Sequence, residues 1–390
     1  NKIKLGNKEY PTLIEAILNH KECSNNVLIK IIIKLKDDLF SNKIKLSNKE
    51  CPTLIGAILN HKECGNNILI RIIACLKENL FSNRIRLDNK EYPTLIGTIL
   101  NHNECNSDVL IEIINDLEED LFSNKIKLNN GEYQTLIEAI LNHDKCNNDV
   151  LIKTIICLKE DLFSSKIKLN NGEYSTLIEA ILNHERCNYS VLIEIIYNLE
   201  ENLFSNEIKL GDKEYLTLIE AILNHKKCGY NILRNVIIKY SEDKDLLLSK
   251  IKPDDEECPT LIEAILNSNE CNSNVLIEII NNLEENLFLS KIKLNNGEYS
   301  TLIEAILNRK SCDFDVLTRT IDCLEKDLLS NKIKLGNKEY STLVEAILNH
   351  EGCNYNVLIR IINSLKENLF SNKIKLGDEE YSTLVEAILN

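Results

Sequence analysis

The sequence predicts an α-rich repeat solenoid, in which helix-turn-helix blocks of about 41 residues stack on one another and are joined by short β-hairpins or extended loops. Three observations predict it. A segment opening Lys-Ile-Lys-Leu returns along the whole chain, starting at Lys2, Lys43, Arg84, Lys125, Lys166, Glu207, Lys250, Lys291, Lys332 and Lys373, and every step is 41 residues except the 43 between Glu207 and Lys250. Each block carries a short alternating stretch followed by two segments with apolar residues at helical spacing. A block of this size cannot bury its apolar face alone, so it must gain stability by stacking on its neighbours. Residues 1–390 are therefore expected to form a single repeat array of nine full blocks and part of a tenth, with an irregular joint near 237–260. The chain opens inside the pattern, contains no methionine and stops inside a block, which leads us to expect a fragment of a longer protein.

The elements follow from one block, Asn1 to Ser41. Lys-Ile-Lys-Leu alternates polar and apolar residues; a turn such as Gly6-Asn7, or Asn129-Asn130-Gly131 in a later block, comes next, and then Glu-Tyr. Alternation around such a turn predicts a short β-hairpin. Thr12, with Glu15 three residues on, then marks a capping box at the start of a short helix, and the pair recurs from Thr135/Glu138 to Thr383/Glu386. Gly56 and Gly97 replace the glutamate in the second and third blocks. Leu13, Ile14, Ala16, Ile17 and Leu18 are apolar on nearly every side, so this helix is expected in the core. Asn19 and His20 end it, asparagine being tolerant of left-handed helix termini.

A longer second helix is expected to start from an N-cap three residues after a repeated cysteine, at Asn26, Asn67, Asp108, Asp149, Ser190, Asn231, Asn274, Asp315 and Asn356. Leu28, Ile31, Ile32, Leu35 and Leu39 follow at helical spacing, with Lys30 and Lys34 on the other face. That pattern makes the helix amphipathic and places it on the outside of the stack.

Hairpin, short inner helix and longer outer helix together resemble the ankyrin repeat. The likeness rests on Asn130-Gly131-Glu-Tyr-Gln-Thr135-Leu-Ile-Glu-Ala139 and Asn171-Gly172-Glu-Tyr-Ser-Thr176-Leu-Ile-Glu-Ala180, which are similar to that family's turn glycine and Thr-Pro-Leu-His-x-Ala signature. The proline is displaced or missing, isoleucine replaces the signature histidine, and the block is longer than the family's. The resemblance implies an ankyrin-like array, with a purely helical solenoid of HEAT or TPR type as the structural alternative. It also implies that the hairpin tips contribute to a binding face. The Asn, Lys and Ile bias suits an AT-rich genome, and ankyrin-like arrays in intracellular bacteria and protists are often host-directed, which raises a host-directed effector as one expectation.

No residue set predicts catalysis, and the chain is not expected to be an enzyme or to need a cofactor. Every candidate nucleophile, acid or base is copied from block to block, and no Gly-rich phosphate loop stands out. Each block offers a His-x-x-Cys, such as His20 with Cys23, but two ligands per block do not make a tetrahedral zinc site. Ser268 and Arg309 also stand where two of the histidines belong. The expectation is structural packing and no metal. Cysteines in register across blocks roughly 8 to 10 Å apart are too distant for disulfides, so free thiols and a cytoplasmic setting, in the producer's own cytosol or a host's, are expected.

The net charge of −14, from 60 acidic and 46 basic residues, disfavours nucleic acid. No apolar run approaches the roughly 18 residues of a membrane span. The expected partner is another protein, met by a monomeric array acting as an interaction scaffold. Two residues after each repeated cysteine the series runs Asn25, Asn66, Ser107, Asn148, Tyr189, Tyr230, Ser273, Phe314, Tyr355. Tyr189, Tyr230, Phe314 and Tyr355, together with Tyr197, are the candidate partner-binding residues, because aromatics on an exposed ridge are strong anchors. Positions near the end of the second helix also vary between blocks, among them Asn115/Asp116, Ile156/Cys157, Asn281/Asn282 and Asp322/Cys323. A modular nucleic-acid reader using such variable pairs, and a passive structural spacer, are the alternatives.

Overall fold

The computed structural model describes residues 3–5, 8–10, 12–41, 43–46, 49–82, 84–87, 90–127, 133–168, 174–209, 215–241, 247–248, 250–251, 259–283, 285–293, 299–329, 332–365, 373–374 and 382–383. The expected turns at Gly6-Asn7 and Asn129-Asn130-Gly131, the Pro253-Asp-Asp-Glu stretch and the helix after Thr383 lie outside them. By its internal contacts the chain divides into two compact halves, Asn1–Asn198 and Leu199–Asn390. Each is helix-rich, with small two-stranded antiparallel hairpins.

In the N-terminal half the first helices of successive blocks are Leu13–Leu18, Leu54–Leu59, Leu95–Leu100, Leu136–Leu141 and Leu177–Asn183. The second helices are Asn25–Lys34, Asn66–Cys75, Ser107–Asp116, Asn148–Cys157 and Tyr189–Asn198. In the C-terminal half the first helices are Leu218–Leu223, Leu261–Asn267, Leu302–Leu307 and Leu343–Leu348, and the second are Tyr230–Tyr240, Ser273–Asn282, Phe314–Cys323 and Tyr355–Leu365. Within each half, every second helix packs on the second helix of the next block. The first helices form the core: all six residues of Leu54–Leu59 are buried, as are all six of Leu95–Leu100. The second helices bury one stripe, such as Ile68, Leu69, Ile72 and Ile73, and leave the opposite face in water.

The hairpins use two registers. In Ile3–Leu5 with Lys8–Tyr10, Leu5 pairs with Lys8, leaving a two-residue connection, and the hairpins at 44–51, 85–92 and 333–340 share this register. In Lys125–Lys127 with Tyr133–Thr135 the pairing slips by one, so that Ile126 faces Gln134; the hairpins starting at Lys166, Glu207 and Lys291 match it. The position of Gln134 is Pro11, Pro52 or Pro93 in the first three blocks, and proline has no N–H to give a ladder. The 333–340 hairpin reaches the tight register without proline, through Gly336 at φ +58, the left-handed geometry of a two-residue turn.

Thr12, Thr135, Thr176, Thr217, Thr260 and Thr301 each form the complete capping box with the glutamate three residues on. At the other end of the helix asparagine works differently from the expectation. Asn19 has φ −91 and ψ 0 and so is not left-handed; its side-chain Nδ2 instead donates to the Glu15 carbonyl at 2.7 Å. The N-cap of the second helix also lies two residues before the expected one, directly after the cysteine. Asn106, Asn147, Asn272 and Asp313 each accept the backbone N–H of the residue three positions on, at 3.1 to 3.2 Å. Asp108, Asp149 and Asp315 instead sit in the first turn, where a carboxylate favours the helix dipole.

Two sets of polar bonds tie consecutive blocks together. The second residue of a first helix donates its N–H to the end of the preceding block, as in Ile55 to Leu39 O at 2.9 Å, Ile96 to Leu80 O at 2.9 Å and Val344 to Leu328 O at 2.9 Å. These are helix-start donors that no intrahelical carbonyl can satisfy. The capping-box glutamate points the other way. Glu138 accepts the Thr135 N–H at 2.8 Å through one oxygen and the Lys168 N–H of the next hairpin at 2.6 Å through the other. Glu304 repeats this with Thr301 at 2.7 Å and Lys334 at 2.7 Å.

Near the expected irregular joint, the Tyr230–Tyr240 helix ends on a buried tyrosine. The Tyr240 ring meets Phe204 edge-on with centroids 5.9 Å apart, and burial pushes its phenol well above the ordinary range. The block pattern resumes by a Lys250–Thr260 bridge.

Candidate functional site: the outer face of the second helices

Four of the five candidate aromatics stand at one structural position, the first residue of a second helix: Tyr189, Tyr230, Phe314 and Tyr355. Being at the helix start, these side chains project from a turn whose neighbours are cap and loop. Tyr355 is 70% exposed, Tyr189 53% and Phe314 38%, whereas Tyr230 is half-buried. Tyr197, near the other end of its helix, is 47% exposed. In the C-terminal half, Phe314 and Tyr355 open two second helices that pack on each other, which makes them neighbours in the fold. Tyr189 belongs to the N-terminal half.

The variable positions late in the second helix form lateral pairs between blocks. Asp116 receives Lys77 Nζ of the preceding block at 2.6 Å, and Asp322 pairs with Arg360 of the following block at 2.5 Å. Asn281 accepts Arg319 Nε, and Asn115 is reached by the Cys157 thiol at 3.9 Å. The variation from block to block is thus partly co-variation with the next helix. Such exposed ion pairs contribute little stability, up to about 1 kcal/mol each, but they occupy polar groups that a partner would otherwise meet.

The His-x-x-Cys pair is built into the junctions. Imidazole Nδ1 accepts the backbone N–H two residues on, as in Glu63 to His61 at 3.1 Å and Glu104 to His102 at 3.1 Å. That fixes the proton on Nε2, which donates to a carbonyl of the preceding block: His61 to Leu18 O at 2.9 Å, His102 to Leu59 O at 2.9 Å, His143 to Leu100 O at 2.9 Å, His184 to Leu141 O at 3.0 Å and His350 to Leu307 O at 2.9 Å. Both ring nitrogens are therefore engaged by the fold. Where arginine replaces histidine, Arg309 Nη2 still reaches back, to Ser268 O at 3.1 Å. The sequence predicts structural packing for these side chains and not their partners, because a bond between blocks leaves no signal beyond the period itself.

The cysteine of the His-x-x-Cys pair is a buried thiol in every block but the last, where Cys353 is partly exposed. Burial pushes Cys64, Cys105, Cys146, Cys228 and Cys312 up to about 12, and Cys271 to about 11. All the described cysteines are free. Cys75, Cys157 and Cys323, at one position late in the second helix, are partly exposed. Between the ends of neighbouring first helices run open grooves, one of about 490 Å³ lined by His102 and His143 and one of about 460 Å³ lined by His225 and Ser268. Among the described residues no cluster of three or more His, Cys, Asp or Glu side chains could hold a metal, and no helix is long and apolar enough to cross a membrane. Set against known proteins, the chain matches no family model and no curated relative.

Proposed function

We propose that the chain is a continuous solenoid of ankyrin-like, stacked hairpin-helix-helix blocks, acting as a scaffold that binds another protein through the outer face of its second helices. The observation that carries this is the exposure of Tyr189 and Phe314 at one repeated position. An aromatic 53% exposed, as Tyr189 is, adds little to the fold there, yet it offers a partner large area at small entropic cost. Solenoid geometry is supported by the chain of bonds between consecutive blocks: helix-start amides, capping glutamates and histidines all reach from one block to another. The acidic balance fits a protein partner better than nucleic acid. Free thiols, most of them buried, suit a reducing compartment and support a cytosolic setting for the scaffold.

The test is differential capture from eukaryotic cytosol, with residues 1–390 run beside a variant carrying Tyr189→Ser, Tyr230→Ser, Phe314→Ser and Tyr355→Ser. The expected result is an identified protein that then binds the purified chain saturably and loses affinity for an equally folded variant. Equal capture by both proteins, or capture only of nucleic acid with a steep salt dependence, would overturn the reading.

A further inference from the structure

At five junctions an imidazole closes the space between consecutive first helices by donating its Nε2–H to the leucine carbonyl that ends the preceding one. The junction between Leu218–Leu223 and Leu261–Asn267 lacks that group, because serine occupies the position at 268. Ser268 Oγ keeps the local half of the imidazole's work, accepting the Glu270 N–H at 3.2 Å. It does not reach the preceding block, and among the described residues nothing donates to the carbonyl of Leu223. Leu223 is 9% exposed, against 1% for Leu59 and 2% for Leu141 and Leu307 at the same position. The site opens into the groove of about 460 Å³, whose rim carries Glu220, Lys226 and Glu270.

The other blocks show which chemistry this place accepts. Imidazole fills it at the five junctions named above, and in the following block the guanidinium of Arg309 enters the same place but donates to the Ser268 carbonyl, two residues beyond the equivalent leucine. Both are planar groups bearing an N–H donor, and each enters from a polypeptide loop. We propose that the groove at Ser268 is a binding site for an imidazole group, brought by a histidine of a partner polypeptide, whose ring N–H donates to Leu223 O. The Ser268 hydroxyl keeps a proton to donate to the second ring nitrogen, so both nitrogens are met, as they are in the intact junctions. A ligand that supplies the missing donor adds a net favourable hydrogen bond to the Leu223 carbonyl. This site is separate from the aromatic face of the second helices, and its test reads the groove alone.

The experiment is a titration of the full chain with imidazole at pH 8, where the free ligand is neutral, followed through the backbone amide resonances of Leu223, Ser268 and Glu270. Saturable shifts are expected with imidazole, binding of 1-methylimidazole, which has no N–H, weaker by roughly two- to tenfold, and at least as large a loss in Ser268→His, where the chain's own ring fills the place. Nα-acetyl-histidine N-methylamide is expected to bind at least as well as histamine, because the group belongs to a polypeptide. Equal binding of imidazole and 1-methylimidazole to the native chain, or unchanged imidazole binding in Ser268→His, would overturn the site. Binding of histamine without the blocked histidine would overturn the partner's histidine as its occupant. The two imidazoles are compared on the native chain, so the conclusion does not depend on the variant folding.

Discussion

His61 and Leu18 are 43 residues apart in the chain, yet the imidazole Nε2 donates to the Leu18 carbonyl at 2.9 Å. His61 is 6% exposed, so the bond is made away from water and its loss leaves a buried acceptor. His61→Ala is therefore expected to cost roughly 1.5–3 kcal/mol, the sum of a lost hydrogen bond and a small cavity. His20 gives the internal comparison: it is exposed and makes only the local bond with the Glu22 N–H at 3.2 Å. His20→Ala should shift the urea midpoint far less. Equal shifts would show that the bond between blocks is not what the histidine contributes.

Acid should loosen the His184 junction. Nδ1 of His184 accepts the Arg186 N–H at 3.1 Å, and a protonated imidazole cannot accept. Burial holds His184 below the ordinary histidine value of 6.5, against the opposing pull of the Leu141 carbonyl and Glu185, while Arg186 adds to the depression. The folded state thus binds this proton less well than the unfolded chain. The stability it contributes is present above about pH 6.5 and is lost as pH falls through the depressed value. Denaturation midpoints measured from pH 7.5 to 5 should decline, and less steeply in His184→Gln. A flat profile would contradict the account.

Glu138 takes two backbone donors at once, Thr135 N–H at 2.8 Å and Lys168 N–H at 2.6 Å, while 8% exposed. Glu138→Ala leaves both unpaired and should cost roughly 2–3 kcal/mol, more than the ~1 kcal/mol of an ordinary cap. Glu138→Gln keeps one acceptor oxygen and should fall between. A loss no larger than that of an ordinary cap would mean that the bond to the next hairpin adds nothing.

The local grammar of the block was legible in the sequence, and its long-range bonds were not. Hairpin, capping box, buried first helix and amphipathic second helix follow from alternation, Thr12/Glu15 spacing and helical periodicity, all of which act within a few residues. The start of the second helix was misplaced by two residues because Asn106 and Asp108 are both good cap types; only the bond from Val109 N–H to Asn106 distinguishes them. The second role of Glu138 and the backward reach of His61 span 30 and 43 residues, and a repeat hides such bonds by copying both partners in every block. The variable Asp116 and Asp322 looked like a partner's contacts because Lys77 and Arg360, which they meet, lie in other blocks.

Thiol reactivity should divide the cysteines by place in the block. Burial pushes Cys64, Cys105 and Cys146 up to about 12, so hardly any thiolate forms near pH 8. Cys75 and Cys157 are partly exposed on the second helix. Iodoacetamide at pH 8 followed by peptide mass mapping should label Cys75 and Cys157 first and the buried set only on unfolding. Early labelling of Cys105 would contradict the packing described.

The proposal that most depends on the whole chain is that its blocks stack as one solenoid, and small-angle X-ray scattering of residues 1–390 in solution tests it most directly. Nine blocks at a stacking distance of roughly 8 to 10 Å predict an asymmetric pair-distance distribution with one constant cross-section and a length on the order of 70 to 90 Å. A symmetric distribution with a radius of gyration of about 21 Å, the value for a compact globule of 390 residues, would contradict it.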